Sequence, residues 1–295
     1  MSIRSSVAGD GDAMTMTSQA ERAAAFRALH ERPRIFAIPN PWDAGSAKIL
    51  AGLGFEALAT TSAGLAFALG RPDGEDAVSR DETLANARAI VEATPLPVSA
   101  DLEHGFGDAP EDCAETIRQA AAAGLVGGSI EDATGRSDRP IYPLAQAVER
   151  VRAAVAAARA LPFPFMLVGR AENFLHGVTD LADTIRRLEA FAEAGADVLF
   201  APGLPTLDDI AAVVRAVRPK PVNAIMGLAG SPISLSELER VGVRRVSVGS
   251  AFARAAYGAF ARAAREVRDK GTFTFADDAI PFAEMNAIFR GRRGD

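Results

Sequence analysis

Short apolar runs alternate with longer amphipathic stretches along most of the chain. Four junctions repeat one pattern, in which a helix-like segment ends at a glycine and an apolar run follows: "LAGLGFEALAT", "AAAGLVGGSIE", "AEAGADVLFAP" and "ERVGVRRVSVG". A glycine at that point supplies the left-handed residue that ends a helix. The apolar run after it has the length of a fully buried strand. The pattern therefore predicts helices that alternate with parallel strands.

The same pattern predicts eight strands, near residues 35–39, 56–61, 97–101, 126–130, 165–170, 197–201, 221–225 and 244–248. Helical stretches fall between or after them. Eight strand–helix units in about 240 residues match the size of a (β/α)8 barrel, so we predict an α/β fold of the TIM-barrel type. The barrel is predicted to be a single domain over residues 19–295 with a C-terminal helical extension, and residues 1–18 a flexible tail.

The competing fold is a doubly wound nucleotide-binding sheet. It requires a Gly-x-Gly-x-x-Gly turn that leaves a strand and opens a helix. Here "GLVGGSI" enters a strand from a helix, and "HGFGDAPED" lacks the third glycine. The number of strand–helix units and the context of the glycines both favour the barrel.

Composition restricts the class of partner. The chain has 38 acidic and 32 basic residues and a net charge of -6, with no basic cluster interleaved with aromatic residues. Nucleic acid and anionic membranes are therefore not expected as partners, and a small molecule is. The single cysteine, Cys113, excludes an intrachain disulfide and suits a cytoplasmic location. No apolar stretch has the length of a signal peptide or a membrane span.

Acidic residues follow two neighbouring predicted strands. Asp101 and Glu103 come directly after the third strand, and Glu131 follows the fourth. In a barrel these strand ends meet at one rim, where three carboxylates would repel one another unless a divalent cation were bound. Oxygen ligands favour Mg²⁺ or Mn²⁺ over zinc. The alternative interpretation is that the acids pair with arginines or cap the helices that follow.

Three further features suit binding of a carboxylate at the same rim. Arg170 ends the fifth strand, "FMLVGR", and a guanidinium binds a carboxylate in a fixed orientation. The turn "TTSAGLA", with Ser62, Ala63 and Gly64, can offer backbone N–H groups. Asn223, in the seventh strand, is a third candidate substrate ligand. Each feature is weak alone, because arginines at strand ends and Ser/Gly turns are common in structural roles.

Taken together, "NPWDAGSAKILAGLGFEAL", "TTSAGLAFALGRPD", "SADLEHGFGD", "GGSIED" and "VGRAENF" resemble the isocitrate lyase/phosphoenolpyruvate mutase superfamily, over roughly residues 35–260. The resemblance implies a (β/α)8 barrel, commonly a tetramer in which neighbours exchange the last helix. It also implies Mg²⁺-dependent chemistry through a pyruvate-type enolate.

The resemblance also implies roles for individual residues. Asp101 would contact Mg²⁺ directly or through water, and Glu103 and Glu131 would complete the acidic set. Asp73, in "GRPDG", would lie near the metal, and Arg170 would bind the substrate. The substrate carboxylate would be received by the turn of Ser62, Ala63 and Gly64.

The sequence lacks the loops that are diagnostic of two subclasses. Members that cleave isocitrate or methylisocitrate carry a Lys-Cys-Gly-His loop after the fourth strand, where this chain has "EDATGRSDRPIYP". The Asp-Asn-Ser-Lys type of loop that phosphonate-forming members use is missing as well. Tyr142 is the candidate to move a proton if this stretch closes over the pocket, with Arg136 and Ser137 as alternatives. The competing interpretation is that Tyr142 anchors the loop.

These features predict a lyase that depends on Mg²⁺, with Mn²⁺ as the alternative ion, and cleaves a C–C bond of a small α-oxo or 2-hydroxy acid through a metal-bound enolate. Isocitrate lyase-like, methylisocitrate lyase-like and decarboxylase activities all remain open. One alternative is P–C bond chemistry of the phosphoenolpyruvate mutase, carboxyphosphonoenolpyruvate phosphonomutase or phosphonopyruvate hydrolase type. Another is a non-catalytic barrel that binds oxo acids. The protein is expected to be a homo-oligomer, either a dimer or a tetramer.

Overall fold

The computed structural model describes residues 17–74, 76–227 and 232–290. The strands are β1 (Phe36–Ala37), β2 (Leu58–Ala59), β3 (Val98–Asp101), β4 (Gly127–Glu131), β5 (Met166–Arg170), β6 (Val198–Phe200), β7 (Val222–Ile225) and β8 (Arg245–Ser247). The α-helices are α1 (Gln19–Glu31), α2 (Ala44–Gly52), α3 (Ser62–Ala68), α4 (Arg80–Glu92), α5 (Pro110–Ala122), α6 (Leu144–Arg159), α7 (Leu181–Glu193), α8 (Leu207–Ala216), α9 (Leu235–Arg240), α10 (Ala251–Lys270) and α11 (Phe282–Phe289). Short 3₁₀ helices cover Asn173–His176 and Thr274–Asp278.

All eight strands form one parallel sheet in the order β1-β8-β7-β6-β5-β4-β3-β2. The backbone N–H of Ala59 in β2 donates to the oxygen of Pro39, just after β1, at 3.1 Å. That bond joins the two ends of the sheet order, so the sheet curls into a barrel. Each predicted strand overlaps an observed one, and the predicted TIM-type barrel is confirmed.

The glycines of the four repeated junctions end helices as predicted. Gly54, Gly124, Gly195 and Gly242 have φ of 85°, 94°, 104° and 95°. Side chains with a Cβ rarely adopt this left-handed backbone, which lets the chain turn from an outer helix into the next strand. The helix–glycine–strand junctions are therefore a local property of the sequence.

Side chains alternate along each strand between two cores. Outward residues pack against the surrounding helices in the larger cluster of buried side chains. Inward residues of β1, β2, β5 and β6 pack together and against Ala23 and Phe26 of α1, which covers the barrel end where the strands begin. The end at which the strands finish is left for polar side chains, as in other barrels of this type.

The two ends of the chain extend the barrel. Residues 1–16 of the predicted tail lie outside the described residues, and Ser18 caps α1 through the backbone N–H of Glu21. At the other end α11 lies against α2, and Lys48 Nζ donates to the oxygen of Phe289 at 3.2 Å. The exchange of the last helix between subunits remains a prediction. No helix among the described residues combines the length and apolar character needed to cross a membrane.

Candidate active site

Three charged side chains finish three adjacent strands at the polar end of the barrel. Asp101 is the last residue of β3, Glu131 of β4 and Arg170 of β5. In β3 the residues of the other parity, Val98 and Ala100, belong to the outer core, so Asp101 faces inward. The register pairs Glu131 directly with Arg170. The strands therefore bring these groups together at one rim, as the sequence predicted.

Arg170 occupies the centre of this group. Its Nη1 lies 3.3 Å from Asp101 Oδ1 and 3.3 Å from Glu131 Oε2, and its Nε donates to Glu172 Oε1. The guanidinium carbon lies 5.1 Å from the centre of the Phe200 ring. Burial disfavours the charged guanidinium, but the neighbouring Glu172, Glu131 and Asp101 together raise the pKa of Arg170 above its ordinary value.

The turn after β2 contacts the other oxygen of Asp101. Asp101 Oδ2 accepts from Ser62 Oγ at 2.9 Å and from Ser62 N at 3.2 Å. Thr61 caps α3 by accepting from Gly64 N at 3.2 Å. A Cβ at Gly64 would lie 2.5 Å from Thr61 Cγ2, so this turn requires glycine for close packing. Ser62, Ala63 and Gly64 thus form the first turn of α3 beside Asp101.

Further carboxyl groups crowd the same rim and repel one another. Burial, and then the charge of Asp101, raise the pKa of Glu103 to about 8. The same two causes raise the pKa of Asp73, and burial raises that of Glu131 well above its usual range. With Glu172, five carboxyl groups surround the single guanidinium of Arg170. Negative charge is in excess here.

This donor set suits a hard divalent cation that keeps much of its water. Among the described residues, no three His, Cys, Asp or Glu side chains are arranged as a ready-made ligand group. The side-chain oxygens of Asp101, Glu103 and Glu131 are nevertheless the type that Mg²⁺ prefers, and Mg²⁺ commonly uses one or two carboxylates with water between it and the rest. A dication would also relieve the charge excess that raises these pKa values.

Comparisons with known proteins agree with this geometry. The family model for phosphoenolpyruvate phosphomutase matches residues 26–268. An oxaloacetate decarboxylase from Bradyrhizobium sp. (strain BTAi1) is 32% identical over 213 residues, covering 70% of this chain and 70% of its own. The chain belongs to the isocitrate lyase/phosphoenolpyruvate mutase superfamily. The predicted family is thereby confirmed, and curated superfamily relatives include enzymes named as lyases and decarboxylases.

Two solved structures support the same membership. A Burkholderia cenocepacia J2315 protein, described as a candidate lyase/mutase, is 62% identical, with a TM-score of 0.89 over 92% of this chain and 96% of its own. Oxaloacetate acetylhydrolase in complex with oxalate is 27% identical, with a TM-score of 0.83 over 92% of this chain and 95% of its own. The barrel and the order of its elements are those of the superfamily.

Asn223 and Tyr142 form their hydrogen bonds with residues outside the group around Arg170. Asn223 Nδ2 donates to Ser247 Oγ at 3.0 Å, and its Oδ1 accepts from Arg245 Nε at 2.9 Å. Tyr142 is fully buried, and its hydroxyl donates to Asp108. The structure therefore does not bring Asn223 or Tyr142 into contact with the Arg170 group, and the contacts of Tyr142 are those of a loop anchor.

Cys113 also lies outside the rim. It is completely buried on α5, with Sγ 3.7 Å from the oxygen of His104, and burial raises its thiol pKa to about 11. His104 Nε2 lies 3.9 Å from Asp76. Neither group contacts Arg170, so Cys113 lies outside the site.

Glu172 and Asp132 hold Arg170 in place, and their positions at the strand ends did not by themselves indicate this role. Glu172 is almost fully buried, and its backbone N–H donates to Asp132 Oδ1 at 2.7 Å. Asp132 in turn pairs with Arg187 Nη1 at 3.0 Å. Burial raises the pKa of Asp132 to about 6. The spacing of Arg170 and Glu172 in "RAE" can be read from the sequence. The pairing of Asp132 with Arg187 on α7 can be seen only in the fold.

Proposed function

We propose that this protein is a Mg²⁺-dependent lyase that cleaves a C–C bond in a small α-oxo or 2-hydroxy acid. The observation that carries the proposal is the position of Arg170. Its guanidinium lies at the rim between Asp101 and Glu131, beside the first turn of α3. This arrangement supplies one anion-binding group inside an acidic cluster that suits a hard cation.

The proposed roles follow from these contacts. Asp101 would hold Mg²⁺, with Glu103 and Glu131 contacting it directly or through water, and Mn²⁺ could take the same place. When bound, such an ion withdraws charge from an enolate and so lowers the barrier to bond cleavage. Arg170 would orient the substrate carboxylate with its planar fork, and Ser62, Ala63 and Gly64 would offer N–H groups to the same carboxylate.

Charge balance favours C–C over P–C chemistry. A phosphonate substrate carries more negative charge than a simple oxo acid, and five carboxyl groups already surround one guanidinium. Arg187, on α7, already forms ion pairs with Asp132 and Asp183. An oxo acid with one or two carboxylates is therefore the better match for this rim.

The available proton-transfer groups favour decarboxylation among C–C cleavages. Retro-aldol cleavage of a 2-hydroxy acid needs a base to take the hydroxyl proton, whereas loss of CO₂ from a β-oxo acid does not. Among the described residues the one thiol, Cys113, is buried away from Arg170. Asp73, with its raised pKa, is the acidic group we propose for proton transfer near the ion. A relative named oxaloacetate decarboxylase supports decarboxylation as the reaction.

Turnover assays test the proposal. Oxaloacetate, 2-methylisocitrate, isocitrate and phosphonopyruvate are supplied with Mg²⁺, and we expect turnover of a C–C substrate that EDTA abolishes and Mg²⁺ restores. Asp101→Asn should remove activity, while Asp138→Asn, a change of an exposed acid in the loop after β4, should not. Turnover of phosphonopyruvate would favour the P–C alternative. Binding of oxalate without turnover of any acid would favour the non-catalytic barrel.

Stability measurements test the metal site separately. Millimolar Mg²⁺ should raise the melting temperature, and oxalate should raise it further only when Mg²⁺ is present, because both ligands bind only the folded state. Equal melting temperatures in EDTA and in Mg²⁺, with or without oxalate, would contradict the site.

We also propose that the protein is a dimer or tetramer located in the cytoplasm. The support for an oligomer is the C-terminal extension, where Phe260 and Phe282 are 71% and 87% exposed in the single chain. Large apolar side chains as exposed as these are typical of a surface that another subunit covers.

A further inference from the structure

A cavity lies at the end of the barrel opposite Arg170, where the strands begin. It has a volume of about 610 Å³, within the range of small-molecule sites. We call it the basal cavity and define it by its lining residues: Arg27, His30, Glu31, Met166, Asp197, Val214, Arg218, Pro219, Lys220, Pro221, Gly242 and Arg244. The end of α1 and the segments that lead into β6, β7 and β8 contribute most of them, so the cavity is separate from the rim of Arg170.

The basal cavity is positively charged although the whole chain is acidic. Its lining has four cationic side chains and two carboxylates, in a chain of net charge -6. Both carboxylates are engaged: Glu31 with Arg27 at 3.4 Å, and Asp197 with Arg159 at 2.6 Å. Among the described residues, Arg218, Lys220 and Arg244 have no carboxylate within ion-pair distance, and they give the cavity its positive potential.

One residue of the cavity lining also carries a buried, unsatisfied atom. His30 is 6% exposed, and its Nε2 has no hydrogen-bond partner. Its Nδ1 lies 2.8 Å from the oxygen of Phe26, which can only accept, so Nδ1 carries the proton. Nε2 is therefore a bare acceptor that requires a donor. Leaving such an atom buried and unpaired costs free energy, which a ligand O–H would recover.

A second unpaired group is the buried guanidinium of Arg245. Arg245 is 4% exposed, its Nη1 has no partner, and its charge acts on His30. Its side-chain hydrogen bond goes to the neutral amide of Asn223. A buried guanidinium without a counter-ion is unfavourable, and an anion in the neighbouring cavity would offset part of that cost.

We propose that the basal cavity is a binding site for a small hydroxyl-bearing anion of the phosphate class, such as hydrogen phosphate or the phosphate monoester of a small polyol. Arg218, Lys220 and Arg244 bind the charged oxygens, and His30 Nε2 accepts a hydrogen bond from the O–H group. The lining has no Phe, Tyr or Trp on which a base could stack, which disfavours a nucleotide.

Hydrogen phosphate and sulfate, which have equal charge and similar shape, test both the binding of an anion and the hydrogen bond to His30 Nε2. Hydrogen phosphate carries an O–H at pH 7.5 and sulfate does not, so phosphate should bind at least tenfold more tightly in calorimetric titrations. The titrations are run on the full chain with saturating Mg²⁺ and oxalate, so that the rim of Arg170 does not compete. Glycerol 3-phosphate is the probe for a monoester, and citrate is the probe for a hydroxylated polycarboxylate.

Variants locate the binding. Arg218→Ala should weaken phosphate binding at least fivefold and leave turnover unchanged, whereas Arg152→Ala, an exposed arginine of α6, should have no effect on binding. His30→Phe, which keeps an aromatic ring between Phe26 and Phe36, should abolish the preference for phosphate over sulfate. Equal affinity for the two anions, no effect of Arg218→Ala, or citrate binding more tightly than glycerol 3-phosphate would overturn the proposal. These outcomes do not depend on whether the rim catalyses C–C cleavage.

Discussion

Arg170 faces three carboxylates and an aromatic ring, so its position is fixed more strongly than that of an ordinary rim arginine. Nη1 contacts Asp101 and Glu131, and Nε contacts Glu172. Two of these partners, Asp101 and Glu131, are also the proposed ligands of the ion. Binding of a cation at Asp101 would therefore leave part of the guanidinium fork to turn toward a substrate carboxylate.

The first prediction concerns the shape of this group. Arg170→Lys should keep the fold and Mg²⁺ binding but weaken oxo-acid binding by about 1.5–3 kcal/mol, the range for a hydrogen bond to a charged group. A lysine retains the charge but cannot hold a carboxylate in one plane. Titration of oxalate into the Mg²⁺-loaded variant measures the loss. Wild-type affinity would mean that Arg170 is structural, and Arg152→Lys provides the control.

The second prediction concerns pH. Burial, and then the charge of Arg245, lower the pKa of His30 to about 3 from an ordinary 6.5. Between those values the unfolded chain binds a proton that the folded chain does not, so stability falls as the pH falls. The difference in unfolding free energy between wild type and His30→Phe should therefore change by about 2 kcal/mol between pH 7 and pH 5. Urea denaturation at both pH values measures it, and a constant difference would contradict the assignment.

At the residue scale, strand-end positions were predictable and contacts were not. The sequence identified Asp101, Glu131 and Arg170 because each directly follows a short apolar run, and parallel strands bring such residues to one rim. Tyr142 was a candidate on chemistry alone. Its partner Asp108 lies 34 positions away, and no local pattern indicates that pairing.

The turn after β3 is the element that shapes the acidic rim. Glu103, Gly105 and Phe106 have φ of 48°, 86° and 59°, so three of four consecutive residues adopt the left-handed region. Such a turn is strained unless its surroundings hold it. Thr116 Oγ1 donates to the oxygen of Gly105 at 2.8 Å, which fastens the turn to α5.

The third prediction tests this turn. Gly105→Ala should destabilise the protein more than Gly54→Ala, although the two glycines have nearly equal φ of 86° and 85°. A Cβ at Gly105 would lie 2.8 Å from Cys113 Sγ, whereas one at Gly54 meets nothing within 4 Å. We expect an excess loss of about 1–3 kcal/mol from overpacking. Thermal or urea unfolding of both variants measures it, and equal losses would mean that the turn relaxes freely.

Element positions were predictable because glycine and apolar runs mark them locally, but element lengths were not. The second strand was predicted over residues 56–61 and is observed as Leu58–Ala59. Thr61 already serves as the cap of α3, accepting from Gly64 N, so the chain leaves the strand direction early. This cap is a local contact between residues three positions apart, and the period of apolar positions does not reveal it.

At the scale of the whole molecule, the C-terminal extension is the part that a single chain leaves most exposed. Ala253 is the one buried residue of α10 in the described structure, and the extension continues with Phe273 and Phe282, which are 64% and 87% exposed. Each phenylalanine that a partner covers contributes about 1.5–3 kcal/mol. Such an arm is stable in water when another subunit packs on it.

The last prediction is that this arm holds the oligomer together. Phe260, 71% exposed on α10, should lie in the interface, so Phe260→Glu should place a charge in an apolar contact and shift the protein toward monomer. Light scattering coupled to size-exclusion chromatography measures the mass of both forms at micromolar concentration. Leu53→Glu, which changes a residue 70% exposed at the end of α2, is the matched control and should leave the mass unchanged. A wild-type mass of one 30.8 kDa chain would contradict the oligomer, and an unchanged mass in Phe260→Glu would move the interface away from α10.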